Sequence, residues 1–297
     1  MATYNGEPFL ARQLASIRYD EAQSIDLWIS DDGSTDGTPE MLRDLASRWR
    51  HGAVNILAGP GLGFAENFRS LIVNPAVDGD LIAFCDQDDI WHADKLAVAH
   101  RALQQEVGPA MFCSRTRSID ASDNPLGFSR RLRWPADFRN ALVENIASGN
   151  TMVFNRAAWK LLRESTARAP FVYHDWWAYI ITTAANGRVH YSSEPLVDYR
   201  QHANNAIGLG NTVVARIRRI GRLLSGALVR SNDVHAAALR ANSVLLTEDA
   251  KTVLERFELA RQSRVPRSLT YLRRSGVFRQ SLYGQLGLWI ACLLRRL

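Results

Sequence analysis

Over its first 205 residues the chain alternates short β-rich runs with amphipathic helical stretches, and no other feature constrains its fold as much. Strands interleaved with helices assemble into a mostly parallel sheet whose faces the helices cover. Phe9, Leu10, Leu14 and Ile17 recur at helical spacing, and Ile25 to Ile29 reads as a strand. Thr38-Pro39 opens a helix through Met41, Leu42 and Leu45, with proline in the first turn, where its missing N–H costs nothing. Val54 to Leu57 is the next strand. A Gly59-Pro60-Gly61 loop leads into a helix through Phe64, Phe68 and Leu71, and the strand Leu81 to Cys85 runs straight into acidic residues. A helix-strand passage covers Ala93 to Ser114, and Asp120 to Pro135 reads as a long loop. Thr151–Phe154 reads as a strand, His174 begins a helix, and short strands lie around Val189 and Val197. The expected class is α/β, with a mixed, mostly parallel sheet flanked by helices.

Beyond Gly208 the pattern changes. Residues 211–262 are almost wholly helical in periodicity, so the expected division is an α/β unit over 1–205 and a basic helical region over 206–297. Charge follows the same division: residues 1–205 hold 20 basic and 25 acidic side chains, residues 206–297 hold 16 and 5. With 297 residues and 46% apolar side chains the chain can bury a core without staples. Its three cysteines, Cys85, Cys113 and Cys292, are too few and too far apart for a disulfide framework, which fits a reducing, cytoplasmic setting. No run approaches the ~18 apolar residues of a membrane span.

Three constellations carry candidate chemistry. Asp86-Gln87-Asp88-Asp89 crowds three carboxylates directly after a buried strand, the place where open α/β sheets bind ligands. An all-oxygen cluster suits Mg²⁺ or Mn²⁺ bridging to phosphates; an acidic turn starting the next helix is the competing reading. Ser30-Asp31-Asp32-Gly33-Ser34-Thr35-Asp36 follows another strand. Read as a calcium loop from Asp32, it has Arg43 where the bidentate glutamate belongs, so calcium is excluded; a ribose- or base-contacting turn and a plain helix cap both remain. His174-Asp175-Trp176-Trp177 sets a carboxylate beside an imidazole and two indoles, either a general base with sugar-stacking faces or a helix start with core tryptophans. The glycine-rich stretch Gly59 to Phe64 lacks a dinucleotide fingerprint and reads as a phosphate-side or lid loop.

Together, Ala2-Thr3-Tyr4-Asn5-Gly6-Glu7, the Ser30–Asp36 stretch, Asp86-Gln87-Asp88-Asp89-Ile90-Trp91, Ser148-Gly149-Asn150-Thr151 and His174-Asp175-Trp176-Trp177 resemble the family 2 inverting glycosyltransferases of GT-A fold, with wording nearest the rhamnosyltransferase-like members. The resemblance implies that Tyr4 stacks on a nucleotide base, flanked by Thr3, Asn5 and Glu7, and that Asp32 holds the base. It implies that Asp86 and Asp88 are the D-x-D acids reaching ribose and a divalent metal, Mg²⁺ or Mn²⁺, with His202 completing the metal shell. Asp175 takes the place of the base, and Gly149, His174, Trp176 and Trp177 face the acceptor. The implied reaction is transfer of a sugar from a dTDP- or UDP-linked donor to a glycan or lipid-linked acceptor, by single displacement with inversion. Two departures from the family pattern stand out: a first strand shortened by the start at Met1, and His174 where many members carry Glu.

The basic tail adds an expectation of its own. Arg273, Arg274, Arg279, Arg295 and Arg296 surround the apolar run Leu286–Leu294, which fits peripheral contact with anionic lipid at the inner face of the cell membrane; a buried C-terminal helix with solvated arginines is the alternative. Nucleic acid is not an expected partner, since no binding motif accompanies the charge. The rival functions are a nucleotidyltransferase, which would need a basic triphosphate loop where Gly6-Glu7-Pro8 stands, and a non-catalytic glycan-binding scaffold.

Overall fold

A computed structural model describes residues 1–18, 24–201 and 227–297. Strands β1 (Ala2–Thr3), β2 (Leu27–Asp31) and β3 (Val54–Ala58) pair in parallel in the order β1-β2-β3. Around them lie α1 (Glu7–Ser16), α2 (Thr38–Arg48) and α3 (Phe64–Val73); the first two carry proline in their opening turn. A second sheet holds β4 (Leu81–Ala83), β5 (Ile90–Trp91), β6 (Ala110–Ile119), β7 (Pro125–Phe128), β8 (Val153–Asn155) and β9 (Arg188–Arg200). Its order is β4-β8-β6-β9-β5, with β7 on the edge of β6; β6 and β9 are parallel, the other pairs antiparallel. The Ala2 N–H donates to the Cys85 carbonyl at 3.3 Å, joining the two sheets where β1 meets the end of β4. At the amino ends of β2 and β4 a cavity of about 500 Å³ is lined by Met1, Trp28, Leu81, Ala83 and Phe84 among others.

Helices α4 (Lys95–Leu103), α5 (Phe138–Ala141), α6 (Arg156–Arg168) and α7 (His174–Ala184) cover the second sheet, followed by α8 (Ala227–Ala241), α9 (Glu248–Gln262), α10 (Arg267–Ser275) and α11 (Leu282–Leu293). Polar side chains set several helix starts. The Asn155 Oδ1 accepts from Ala158 N–H at the mouth of α6 and from Ala110 N–H at the start of β6, fixing a helix and a strand with one oxygen. Thr247 caps α9 and Ser281 caps α11 in the same way.

Three expectations need correction. The presumed loop from Asp120 to Pro135 contains β7, which pairs with β6 through Phe128, Gly127 and Pro125. The two short strands around Val189 and Val197 are one strand, β9, bent by register shifts against Ser114 to Thr116 next to Pro195. Arg156–Arg168, to which the periodicity assigns no element, is a helix with Trp159 buried under it, its indole N–H donating to Val77 O at 2.8 Å. The helices after residue 226 pack on the same core. Leu239 of α8, Val253, Leu254 and Phe257 of α9, Leu272 of α10 and Leu288 of α11 belong to the same buried cluster as Trp159, Trp177 and Phe154. Asn242 Nδ2 donates to Ser165 O, and Thr247 N–H to Ala184 O, tying that cluster to the ends of α6 and α7. The helical periodicity of 211–262 is met in α8 and α9; residues 202–226 lie outside the described residues.

Candidate active site

The acids sit beyond the carboxyl ends of β1, β2 and β4, where parallel strands leave their loops on one rim. The β1 and β2 loops are laced together by side chains. Thr3 Oγ1 donates to Asp31 Oδ1 at 2.9 Å; Asn5 Oδ1 accepts from Thr35 N–H at 2.8 Å; Glu7 Oε2 accepts from Gly37 N–H at 2.8 Å. Asn5 itself adopts a left-handed backbone, φ 49°. Thr3 is buried, and Asn5 and Glu7 are occupied by these bonds, so the three side chains expected to flank a nucleotide serve here to hold two loops in register. Tyr4 differs: its ring is 57% exposed, while its backbone is fixed by Gln87, whose Oε1 accepts from Tyr4 N–H at 2.8 Å and whose Nε2 donates to Tyr4 O at 2.9 Å.

Asp32 also has a different task from the expected one. Its two oxygens accept from the N–H groups of Gly61 and Gly63, each at 2.7 Å. Both glycines have positive φ, 70° and 90°, so the loop closes over the carboxylate in a conformation that side-chain-bearing residues resist. The glycine-rich loop is thus a tethered turn, and Asp32 is its anchor rather than a free base-binding group.

Asp86 is half-buried, and burial, followed by the facing charges of Asp88 and Asp175, raises its carboxyl to about 7. Carboxylates close enough to raise one another call for a cation. Among the described residues no group of three His, Cys, Asp or Glu side chains forms a self-sufficient metal cage. Mg²⁺ and Mn²⁺ do not require one, because one or two carboxylates with substrate phosphates and water complete their shell. Asp86 and Asp88 therefore fit such an ion; His202 lies outside the described residues.

Asp89 points the other way. It is fully buried, accepting from Asn150 Nδ2 and from Arg200 N–H at 3.0 Å. Lys95, also buried, donates through Nζ to Asn150 O at 2.7 Å and lies 3.1 Å from the centre of the Trp91 ring. The Arg200 guanidinium reaches back to Asp88 O at 2.8 Å. Together these residues fasten the acidic loop to the turn Gly149–Thr151 and to the end of β9. Asp89→Ala would leave Asn150 and the Arg200 N–H unsatisfied, with an expected loss of about 3 kcal/mol in urea unfolding; an unchanged midpoint would contradict that anchoring.

Asp175 lies in the first turn of α7, half-buried, opposite the acids. Burial raises its carboxyl to about 6, against the hydrogen bond from Trp176 N–H at 2.6 Å and the nearby Asn145 side chain and Gly149 N–H, which lower it. Gly149 is a glycine because a Cβ there would lie 2.4 Å from His174 Nε2. His174 stacks on Phe68, ring centres 3.7 Å apart, and meets Phe84 edge-on. Neither ring nitrogen has a partner, and burial lowers its pKa to about 3, so it is a neutral packing residue. Trp177 is 0% exposed. His174 and Trp177, expected at the acceptor, thus belong to the core, and Gly149 is buried beneath Asp175. Trp176 is half-buried, its indole N–H donating to Ala141 O at 2.7 Å. The sequence reading missed Gln87, Asn145, Asn150 and Lys95; of these only Gln87 and Asn150 sit inside quoted motifs.

A three-stranded parallel sheet joined to a mixed sheet, with helices around both, is the arrangement of the GT-A glycosyltransferase structures that the chain resembles. S. aureus TarS 1-349 in complex with UDP aligns with a TM-score of 0.53 at 14% identity, over 99% of this chain and 87% of that one. GalNAc-T7 with UDP, GalNAc and Mn²⁺ aligns with a TM-score of 0.53 at 12% identity, over 94% of this chain and 54% of that one. The sequence is more specific. Residues 1–165 match the family described as Glycosyl transferase family 2, and the chain belongs to it. The dTDP-rhamnosyl transferase RfbG of Shigella flexneri is 28% identical over 237 residues, 74% of this chain and 78% of that protein. The protein is a glycosyltransferase, and neither a nucleotidyltransferase nor a non-catalytic scaffold is needed to explain it.

Proposed function

We propose that this glycosyltransferase moves rhamnose or a similar sugar from a dTDP- or UDP-linked donor to a glycan acceptor, with inversion at the anomeric carbon. The observation carrying the reading is Asp175, a carboxylate of raised pKa at the start of α7, held by the Trp176 N–H and near enough to Asp86 to raise its carboxyl. The similarity to a dTDP-rhamnosyl transferase favours the sugar. Tyr4, exposed beside the acidic loop, offers a stacking face for the base.

In this mechanism the acceptor hydroxyl attacks the anomeric carbon, its proton passes to an Asp175 oxygen, and the bond to the donor diphosphate breaks with its electron pair on the leaving oxygen. Asn145 and the Gly149 N–H keep the Asp175 carboxylate aimed during transfer. Asp86 and Asp88 would hold Mg²⁺ or Mn²⁺, which when bound supplies neutralisation of the charge building on the diphosphate. Arg200 and Asn150 keep the acidic loop from retreating as the charge of the site changes.

Incubating the purified protein and Mn²⁺ with dTDP-rhamnose, UDP-sugars and a glycan acceptor, and reading nucleoside diphosphate release and product anomer by NMR, tests the proposal; a product of retained configuration would refute the mechanism. The pH profile gives a second check. A base with a carboxyl at about 6 must lose its proton to work, so kcat at saturating donor and metal is expected to be flat above about pH 6 and to fall tenfold per unit below it. An ordinary exposed carboxylate would hold the plateau to about pH 4.

A further inference from the structure

Helix α11 has two apolar faces. Leu288, Ala291 and Cys292 are buried in the core, whereas Leu282, Leu286, Ile290, Leu293 and Leu294 form an exposed stripe along the opposite side, with Tyr283, 90% exposed, at its edge. A helix apolar all round and lacking a charged residue normally lies in a core or against lipid. At 12 residues it is about 18 Å long, too short to span a bilayer, and no helix among the described residues is long and apolar enough to do so.

A second element contributes to the same surface. The backbone N–H groups of Arg133 and Trp134 both donate to Gln280 Oε1 at 2.9 Å, and Gln280 Nε2 donates to Trp134 O at 3.0 Å. Trp134, 51% exposed, is thereby fixed at the mouth of α11 with the exposed Arg130, Arg131 and Arg133. Arg295 and Arg296, also exposed, follow the helix directly. After Glu258 the chain holds eight arginines and no acid. An aromatic-edged apolar stripe with exposed arginines at both its ends is the complement of an anionic bilayer surface, whose headgroups take the guanidinium groups while the leucines enter the acyl boundary.

We infer that α11 and the Arg130–Trp134 loop form one docking face for an anionic lipid bilayer. The face is linked to the chemistry. Glu144 accepts from Gln280 N–H at 2.6 Å, and the next residue, Asn145, lies near enough to Asp175 to lower its carboxyl.

Sedimentation of the full-length protein with phosphatidylcholine vesicles, alone or mixed with phosphatidylglycerol, tests the face without substrate. Binding is expected only with phosphatidylglycerol and should weaken as salt rises. Leu286→Gln with Ile290→Gln, and separately Arg295→Ser with Arg296→Ser, should each weaken it at least about tenfold. Asp175→Asn should bind as the parent does, so loss of the catalytic reading would leave this result standing. Equal binding to both vesicle types, no effect of either double substitution, or a dimer in light scattering that the Leu286→Gln, Ile290→Gln variant dissociates would overturn the inference.

Discussion

Asp175→Asn is expected to lower the rate of sugar transfer about 1000-fold while leaving donor affinity and fold intact. The substituted amide keeps one oxygen to accept from Gly149 N–H or Trp176 N–H, so the start of α7 has no reason to move. What it loses is the ability to take a proton. The measurement is nucleoside diphosphate release at saturating donor, set against calorimetric titration of dTDP or UDP with Mn²⁺. A fall in donor affinity matching the fall in rate would make Asp175 a binding residue and return the role of base to another group.

Asp88→Asn is expected to have the second-largest effect, weakening metal-dependent donor binding roughly 100-fold or more. The physical argument turns on Asp86, whose carboxyl is raised first by burial and next by Asp88. Removing the Asp88 charge relieves that repulsion, so without metal the variant should melt at or above the temperature of the parent. With Mn²⁺ and nucleotide the parent should gain stability by ligand binding and the variant little of it. A variant that melts lower without metal, or binds nucleotide with Mn²⁺ as tightly as the parent, would mean that the acids do not share a cation.

The helices opened by Thr38-Pro39 and Phe64, and the strand ending at the acids, were legible because their signals are local: a proline in a first turn, an apolar period, a run of β-formers. β7 was not, since Pro125 and Gly127 are turn residues by composition and the strand exists only because β6 offers an edge to pair with. β9 reads as two pieces because Pro195 interrupts the pattern, yet β6 accommodates it by shifting register. The site divides in the same way. That the acidic loop and the His174-Asp175 turn belong to a site can be read from their place after a strand and at a helix start. Which side chains face a ligand cannot, because the answer lies with partners some thirty residues away in sequence, as for Asn5 with Thr35 and Asp32 with Gly61. Trp176 and Trp177 are neighbours in the chain, and a turn of 100° separates a half-buried indole from one sealed in the core.

Gln87 stands between Asp86 and Asp88 and grips both polar groups of the Tyr4 peptide backbone, so the acidic loop and the loop after β1 are joined by one short splint. Gly6 lets it lie flat, since a Cβ there would fall 2.4 Å from the Gln87 amide oxygen. Because Gln87 holds the Tyr4 backbone and leaves its ring exposed, a new side chain at position 4 would change that surface beside the acids without loosening the splint.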